Sequence, residues 1–92
     1  MTFVEMVNKE LARSRNKHNP IMTIHEGYAV LLEEVDEFWD EVKNRNPDYM
    51  AILEELIQVG AMAQRVAEDL DLVERFGPAK EKLDGFVYGR EK

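Results

Sequence analysis

The apolar residues between Ile24 and Val42 recur every three or four positions, and this periodicity constrains the fold more than any other feature of the chain. Residues spaced in this way lie on one face of an α-helix. No segment alternates polar and apolar residues for long, so the pattern predicts helices and not strands. The stripe consists of Ile24, Tyr28, Leu31, Val35, Phe38 and Val42, and Leu32 and Trp39 widen it.

Two capping boxes mark the starts of the first two helices. Thr2 with Glu5, and Thr23 with Glu26, have the spacing in which side chain and backbone cap each other reciprocally. The Asn-Pro pair at 19–20 separates the two, because the residue before a proline avoids the helical region. The first helix is therefore expected to end before this pair, and the second to end shortly before the next proline.

The segment Asn46-Pro47-Asp48 predicts the start of a third helix, with Asn46 as the cap and proline at the first helical position. This helix is expected to reach about Leu70, and Gly60 on it is small enough for a neighbouring helix to approach closely. Gly77-Pro78 is expected to end the regular part. Residues 73–92 are then a C-terminal tail, in which 79–84 could form one short helical piece and the part beyond Gly85 is expected to be irregular.

These elements predict a single all-α domain over residues 1–92. The expected architecture is an antiparallel helical bundle of three main helices, with the core bundle over residues 1–72 and the tail over 73–92. A chain of 92 residues buries only a modest core by itself. Small helical bundles often gain further burial by association, so we expect a homo-oligomer.

Composition excludes several classes of protein. There is no cysteine, so disulfides and thiolate metal sites are excluded. The net charge is −7, whereas proteins that bind nucleic-acid polymers need a basic surface. No nucleic-acid polymer is therefore expected as a partner. The longest apolar stretch, at 28–32, is far below the roughly 20 residues of a membrane span. No signal peptide is visible at 1–10, so no membrane partner and a cytoplasmic location are expected.

Carboxylates are concentrated on the second helix, where six acids lie within residues 33–41. Glu34 and Glu37 lie on a ridge beside the apolar stripe, and Glu55 and Gln58 form a similar ridge on the third helix. Like charges four residues apart destabilise a helix. A magnesium ion takes carboxylate oxygens and would neutralise them. A metal-free domain whose acids only solvate its surface is the simpler alternative, but it leaves the paired ridges as coincidence.

The string Glu33-Glu34-x-x-Glu37, followed on the next helix by Glu55-Leu56-Ile57-Gln58, resembles the paired metal motifs of the MazG-like all-α NTP pyrophosphohydrolase superfamily. The similarity is to small phage and bacterial members and covers roughly residues 1–72. The resemblance implies a helical bundle that is complete only as a homodimer or homotetramer. It also implies hydrolysis of a nucleoside triphosphate to the monophosphate and pyrophosphate.

The resemblance also implies roles for individual residues. Glu34, Glu37 and Glu55 would be ligands of Mg²⁺, with Mn²⁺ as an alternative, and Gln58 would hold the last ligand position. Glu33 would be an outer ligand or would orient the attacking water, which makes Glu33, Glu34 and Glu37 the catalytic candidates. Magnesium held by carboxylates suits phosphoryl transfer, which needs mainly positioning and charge neutralisation.

One position departs from the family pattern, because Gln58 stands where the family has Asp. Glutamine offers a neutral carbonyl oxygen and adds no negative charge. The departure favours an alternative: a catalytically weak or inactive oligomer of the same fold that acts as a nucleotide- or protein-binding module.

Three further residues are candidates for binding the substrate: Arg65, His25 and Lys80. For each there is a simpler role. Arg65 is placed to pair with an acid one helical turn later, and such surface pairs are worth little. His25 lies near a helix end, as does His18, which could also contact a base or a phosphate. Lys80 is an ordinary surface charge in the simpler interpretation.

Overall fold

The computed structural model describes the backbone of residues 1–91 and the side chains of residues 1–84. Four helices follow one another in this part of the chain: α1 (Phe3–Lys17), α2 (Ile24–Val42), α3 (Tyr49–Asp69) and α4 (Leu72–Glu91). The described backbone contains no strand. The all-α prediction is confirmed, with four helices in place of three.

Both predicted threonine caps start their helices, but only the first capping box is complete. Thr2 Oγ1 accepts a hydrogen bond from the Glu5 backbone N–H at 3.2 Å, and the Thr2 N–H donates to Glu5 Oε1 at 3.0 Å. Thr23 Oγ1 accepts from the Glu26 N–H at 3.1 Å. The Glu26 carboxylate instead accepts from the Met22 N–H at 3.2 Å. Local side-chain chemistry therefore sets where α1 and α2 begin.

Helix α3 begins two residues later than the sequence predicted, because Asp48 is its cap and not Asn46. Asp48 Oδ1 accepts from the backbone N–H groups of Met50 at 3.0 Å and Ala51 at 3.3 Å. An ionised carboxylate at a helix N-terminus also interacts favourably with the helix dipole. The Asn46 N–H donates to Asn44 Oδ1, which closes a local turn before the helix.

The prediction of an irregular tail was wrong, since α4 runs from Leu72 through Pro78 to Glu91. Two residues, Leu70 and Asp71, separate α3 from α4, and Asp71 adopts a left-handed backbone with φ of 57°. Asp is one of the few residues other than glycine that tolerates this conformation. Proline clashes with the Cβ of the preceding residue in a helix. Gly77 has no Cβ, which eases the passage of α4 through Pro78.

The long central helix α3 packs against α1, α2 and α4. Val7 and Leu11 of α1 and Ala61 and Met62 of α3 form the buried core, with Val30 and Leu31 of α2 packed against it. Two glycines bring the helices close together. A Cβ at Gly60 would lie 3.1 Å from Val7 Cγ2, and one at Gly27 would lie 2.9 Å from Val66 Cγ1.

Much of the apolar stripe on α2 stays exposed. Leu31 and Phe38 are partly buried, whereas Tyr28 is 64% exposed and Trp39 is 56% exposed. Helix α3 therefore covers only part of the face that the periodicity marks as apolar. None of the described helices combines the length and apolarity that crossing a membrane demands.

Candidate metal centre

Three carboxylates converge where α2 lies against α3. Glu34 and Glu37 are one helical turn apart on α2, and Glu55 faces them from α3. Each offers an oxygen, and these oxygens all lie within 4.8 Å of one another. The antiparallel pairing creates this proximity, because Gly27 lies near Val66 at one end and Glu37 meets Glu55 further along. The sequence predicted all three as metal ligands, and the fold brings them together.

The cluster is electrostatically unfavourable as it stands. Burial, together with the negative charges of Glu37 and Glu55, raises the pKa of Glu34 to about 7. Burial also raises the pKa of Glu55, followed by the charge and hydrogen bonding of Glu37 and the charge of Glu41. Repulsion between like charges in a partly desolvated site has this effect on carboxyl groups. Ionisation of Glu34 and Glu55 is therefore less favourable here than in a solvent-exposed side chain.

Two oxygens of the cluster have no hydrogen-bond partner among the described residues. Glu34 Oε2 and Glu55 Oε2 are both buried from solvent and unpaired. Unpaired buried oxygens are costly and rare in proteins. Three converging carboxylates, two with orphaned oxygens, match the oxygen ligands that Mg²⁺ and Mn²⁺ take. The residues present therefore fit a hard divalent cation.

Glu33 and Gln58 lie beside the cluster. Glu33 is exposed on α2, and both residues line a cavity that Glu34 also borders. The Gln58 side chain acts on Glu10 of α1, whose pKa is lowered mainly by hydrogen bonds from Arg13 and less by one from Gln58. An Asp at position 58 would instead repel the Glu10 carboxylate. Glutamine at this position therefore suits the neighbouring acid on α1.

Arg65 is the one predicted substrate-binding residue that lies at the site, and it is largely committed to the fold. It is only 5% exposed. One guanidinium nitrogen contacts Ser14 Oγ at 3.4 Å, and another donates to the backbone oxygen of Asn19. Its Nε lies 3.5 Å from Asp69 Oδ2 without forming a hydrogen bond. Arg65 thus ties α1 and the following loop to α3 while bordering the cavity.

The structure places the other two candidates away from the cavity. His25 is exposed in the first turn of α2 and does not line the cavity. Lys80 lies on α4 and forms a salt bridge with Asp84. Neither is brought to the acid cluster within this chain.

The cavity beside the cluster has a volume of about 390 Å³ and is lined by residues of α1, α2 and α3. Sequence reasoning did not single out its α1 wall. The signal was present, because positions 10, 13, 14 and 17 are spaced as one helical face. The residues of this wall are Glu10, Arg13, Ser14 and Lys17, and His18 follows them at the end of the helix.

Comparisons of the chain with protein-family models, with curated protein sequences and with solved structures gave no match.

Proposed function

We propose that this protein is a magnesium-dependent nucleoside triphosphate pyrophosphohydrolase of the MazG-like type. The observation that carries the proposal is the meeting of Glu34, Glu37 and Glu55 with two buried, unpaired oxygens. A charged cavity of ligand size adjoins them. The pairing of the two acid motifs in sequence adds to this support. Water would add across the anhydride between the α and β phosphates, giving the monophosphate and pyrophosphate.

In this reaction the residues of the cluster and of the adjoining cavity would have different roles. Glu34, Glu37 and Glu55 would hold the metal, which supplies charge neutralisation for the phosphates and a water of lowered pKa. Glu33, exposed at the cavity wall beside Glu34, would orient the attacking water as a hydrogen-bond acceptor. Gln58 would contribute a neutral carbonyl oxygen or, through its contact with Glu10, set the shape of the cavity wall.

The proposal includes association of the chain with copies of itself. Large apolar side chains remain exposed along α2, and a contiguous exposed apolar patch commonly marks an interaction surface. The patch, here called the α2 face, consists of Ile24, Tyr28, Leu32, Val35, Trp39 and Val42. A homodimer or homotetramer would cover it.

A second candidate is a nucleotide- or protein-binding oligomer that has lost the chemistry. Gln58 favours it, because the site has one carboxylate fewer than the family pattern and the Gln58 side chain interacts with Glu10. Both candidates predict metal binding at the acid cluster, but only the enzyme predicts turnover.

The test is hydrolysis by wild-type protein and by Glu37→Gln, with Asp36→Asn as the matched control. Both substitutions remove one negative charge from an exposed side chain of α2, but only Glu37 belongs to the cluster. The expected result is loss of activity and of metal binding in Glu37→Gln alone, with helicity unchanged in both. Normal hydrolysis by Glu37→Gln would show that the assigned site is wrong.

A further inference from the structure

The cavity beside the acid cluster has two chemically different ends. Glu33 and Glu34 of α2 border it on one side, and Arg13, Lys17 and His18 border it from the C-terminal end of α1. The two permanent cations that α1 contributes to the cavity are not equivalent. Arg13 is held by Glu10 through two hydrogen bonds of 2.9 and 2.8 Å. Lys17 forms no salt bridge and no side-chain hydrogen bond with any described residue, so its ammonium is available to a ligand.

We propose that this cavity receives the pyrophosphate end of the nucleotide, with Lys17 as its principal contact. The inference rests on the proposed function. A metal at Glu34 would hold the phosphate chain at that end of the cavity, so the phosphates and not the base would enter it. A phosphate chain held at the acid cluster extends toward the basic end, where an ammonium binds phosphate oxygens as a point charge. Arg13 supports it through the N–H groups that Glu10 leaves free, and His18 adds a ring nitrogen.

The lining favours phosphate over a nucleobase. Bases are usually held by stacking on aromatic side chains, and no Phe, Tyr or Trp among the described residues lines this cavity, where His18 supplies the one ring. Among the described residues, Val30 and Met62 are the apolar contributors, and charged or polar groups make up the rest of the lining. The base of a bound nucleotide would therefore lie outside this cavity.

The acids that line the cavity explain why the metal must accompany the anion. Glu10, Glu33 and Glu34 would repel pyrophosphate that enters without a metal ion. The salt bridge with Glu10 also neutralises Arg13, one of the cations that could attract the anion. A divalent cation at the cluster reverses this balance at the Glu34 end. We therefore expect pyrophosphate to bind tightly only together with magnesium.

The experiment is calorimetric titration of inorganic pyrophosphate into the protein with saturating magnesium, in four forms: wild type, Lys17→Ala, Lys17→Arg and Lys9→Ala. Lys9 is an exposed lysine on α1 that does not line the cavity, so it is the matched control. Losing a charged hydrogen bond at a partly exposed site should weaken binding about tenfold in Lys17→Ala. Lys17→Arg and Lys9→Ala should bind like wild type, and all four should show equal helicity.

Titration with Mn²⁺ alone separates this inference from the proposed function. The expected result is equal Mn²⁺ affinity in wild type and Lys17→Ala, with weaker pyrophosphate binding only in the latter. If Mn²⁺ binds but Lys17→Ala and Lys9→Ala bind pyrophosphate equally, the assignment of Lys17 is overturned and the metal site stands. If wild type binds no metal, the proposed function fails. Pyrophosphate binding that still depends on Lys17 would then support an anion cavity, and its absence would overturn both.

Discussion

Gly27 on α2 lies so close to Val66 on α3 that a Cβ at position 27 would be 2.9 Å from Val66 Cγ1. The spacing between α2 and α3 at Gly27 also affects the distance from Glu34 and Glu37 to Glu55, because the same two helices carry the cluster. Replacing Gly27 by Ala forces α2 and α3 apart or displaces the stiff Val66 side chain.

We therefore predict that Gly27→Ala destabilises the fold. Overpacking costs about 1–3 kcal/mol, whereas alanine gains up to about 1 kcal/mol in helix propensity. The net loss should be about 1 kcal/mol in urea unfolding, with weaker metal binding. Gly60→Ala is the comparison, since its Cβ would meet Val7 Cγ2 at the longer distance of 3.1 Å. A Gly27→Ala variant more stable than wild type would contradict the close packing of α2 on α3.

Acidification from about pH 7 to about pH 5 is predicted to stabilise the metal-free protein. The pKa of Glu34 in the fold is about 7, above its ordinary value of 4.5. The folded state therefore holds this proton more tightly, and the cost of ionising Glu34 is present above pH 7 and fades toward 4.5. Glu55 shifts in the same direction. Glu5, Glu10 and Glu68 have lowered pKa values and oppose the effect only at lower pH.

The pH effect is measurable as a rise in the melting temperature. The site is partly open to solvent, so we expect only about 1 kcal/mol, or roughly 4–8 °C in a domain of this size. Glu34→Gln should remove most of the rise, whereas Asp36→Asn, on the exposed side of α2, should keep it. Equal pH profiles in the two variants would mean that Glu34 is not the group responsible.

Magnesium is predicted to raise the melting temperature and to do so more at pH 8 than at pH 6. Metal ligands bind as ionised carboxylates, so protons compete for Glu34 near its pKa of about 7. At 100 times the dissociation constant, a bound ion stabilises the fold by about 2.7 kcal/mol. Glu55→Gln should abolish the shift. A shift of the same size in Glu55→Gln and wild type would place the metal elsewhere.

Trp39→Glu is predicted to weaken self-association. The indole is 56% exposed in the single chain, toward the C-terminal end of the α2 face. A charge there would have to be buried on association, which is costly without a partner. Sedimentation should show a species larger than the monomer for wild type and for Ala12→Glu, an equal charge at an exposed position of α1. A monomeric wild type would contradict the oligomer, and an unaffected Trp39→Glu would contradict the α2 face as its interface.

The parts of the fold that the sequence predicted correctly depend on local signals. Thr2 and Thr23 cap their helices through residues three positions away, and this spacing can be recognised without a structure. The three cluster acids were also predictable, since they flank apolar stripes on consecutive helices. The error in the predicted start of α3 has a local cause as well. Asp48 and Asn46 are both suitable capping residues, and it is Asp48 that accepts the hydrogen bonds from the first turn.

The features that the sequence did not predict depend on tertiary packing or on a single backbone angle. Asp71 looks like an ordinary helical residue, yet its positive φ separates α3 from α4. The cavity wall on α1 faces Glu34 only because α1 packs beside α3 in the required orientation. Arg65 looks like a surface arginine, but its contacts with Ser14 and Asn19 involve residues far away along the chain.

The central claim is tested most directly by the products formed when the purified protein is incubated with a panel of nucleoside triphosphates and magnesium. The account predicts monophosphate and pyrophosphate in equal amounts from at least one nucleotide, and no products from Glu37→Gln. Absence of turnover with magnesium and with manganese, by wild-type protein shown to be folded and to bind metal, would contradict the enzyme and favour the binding module.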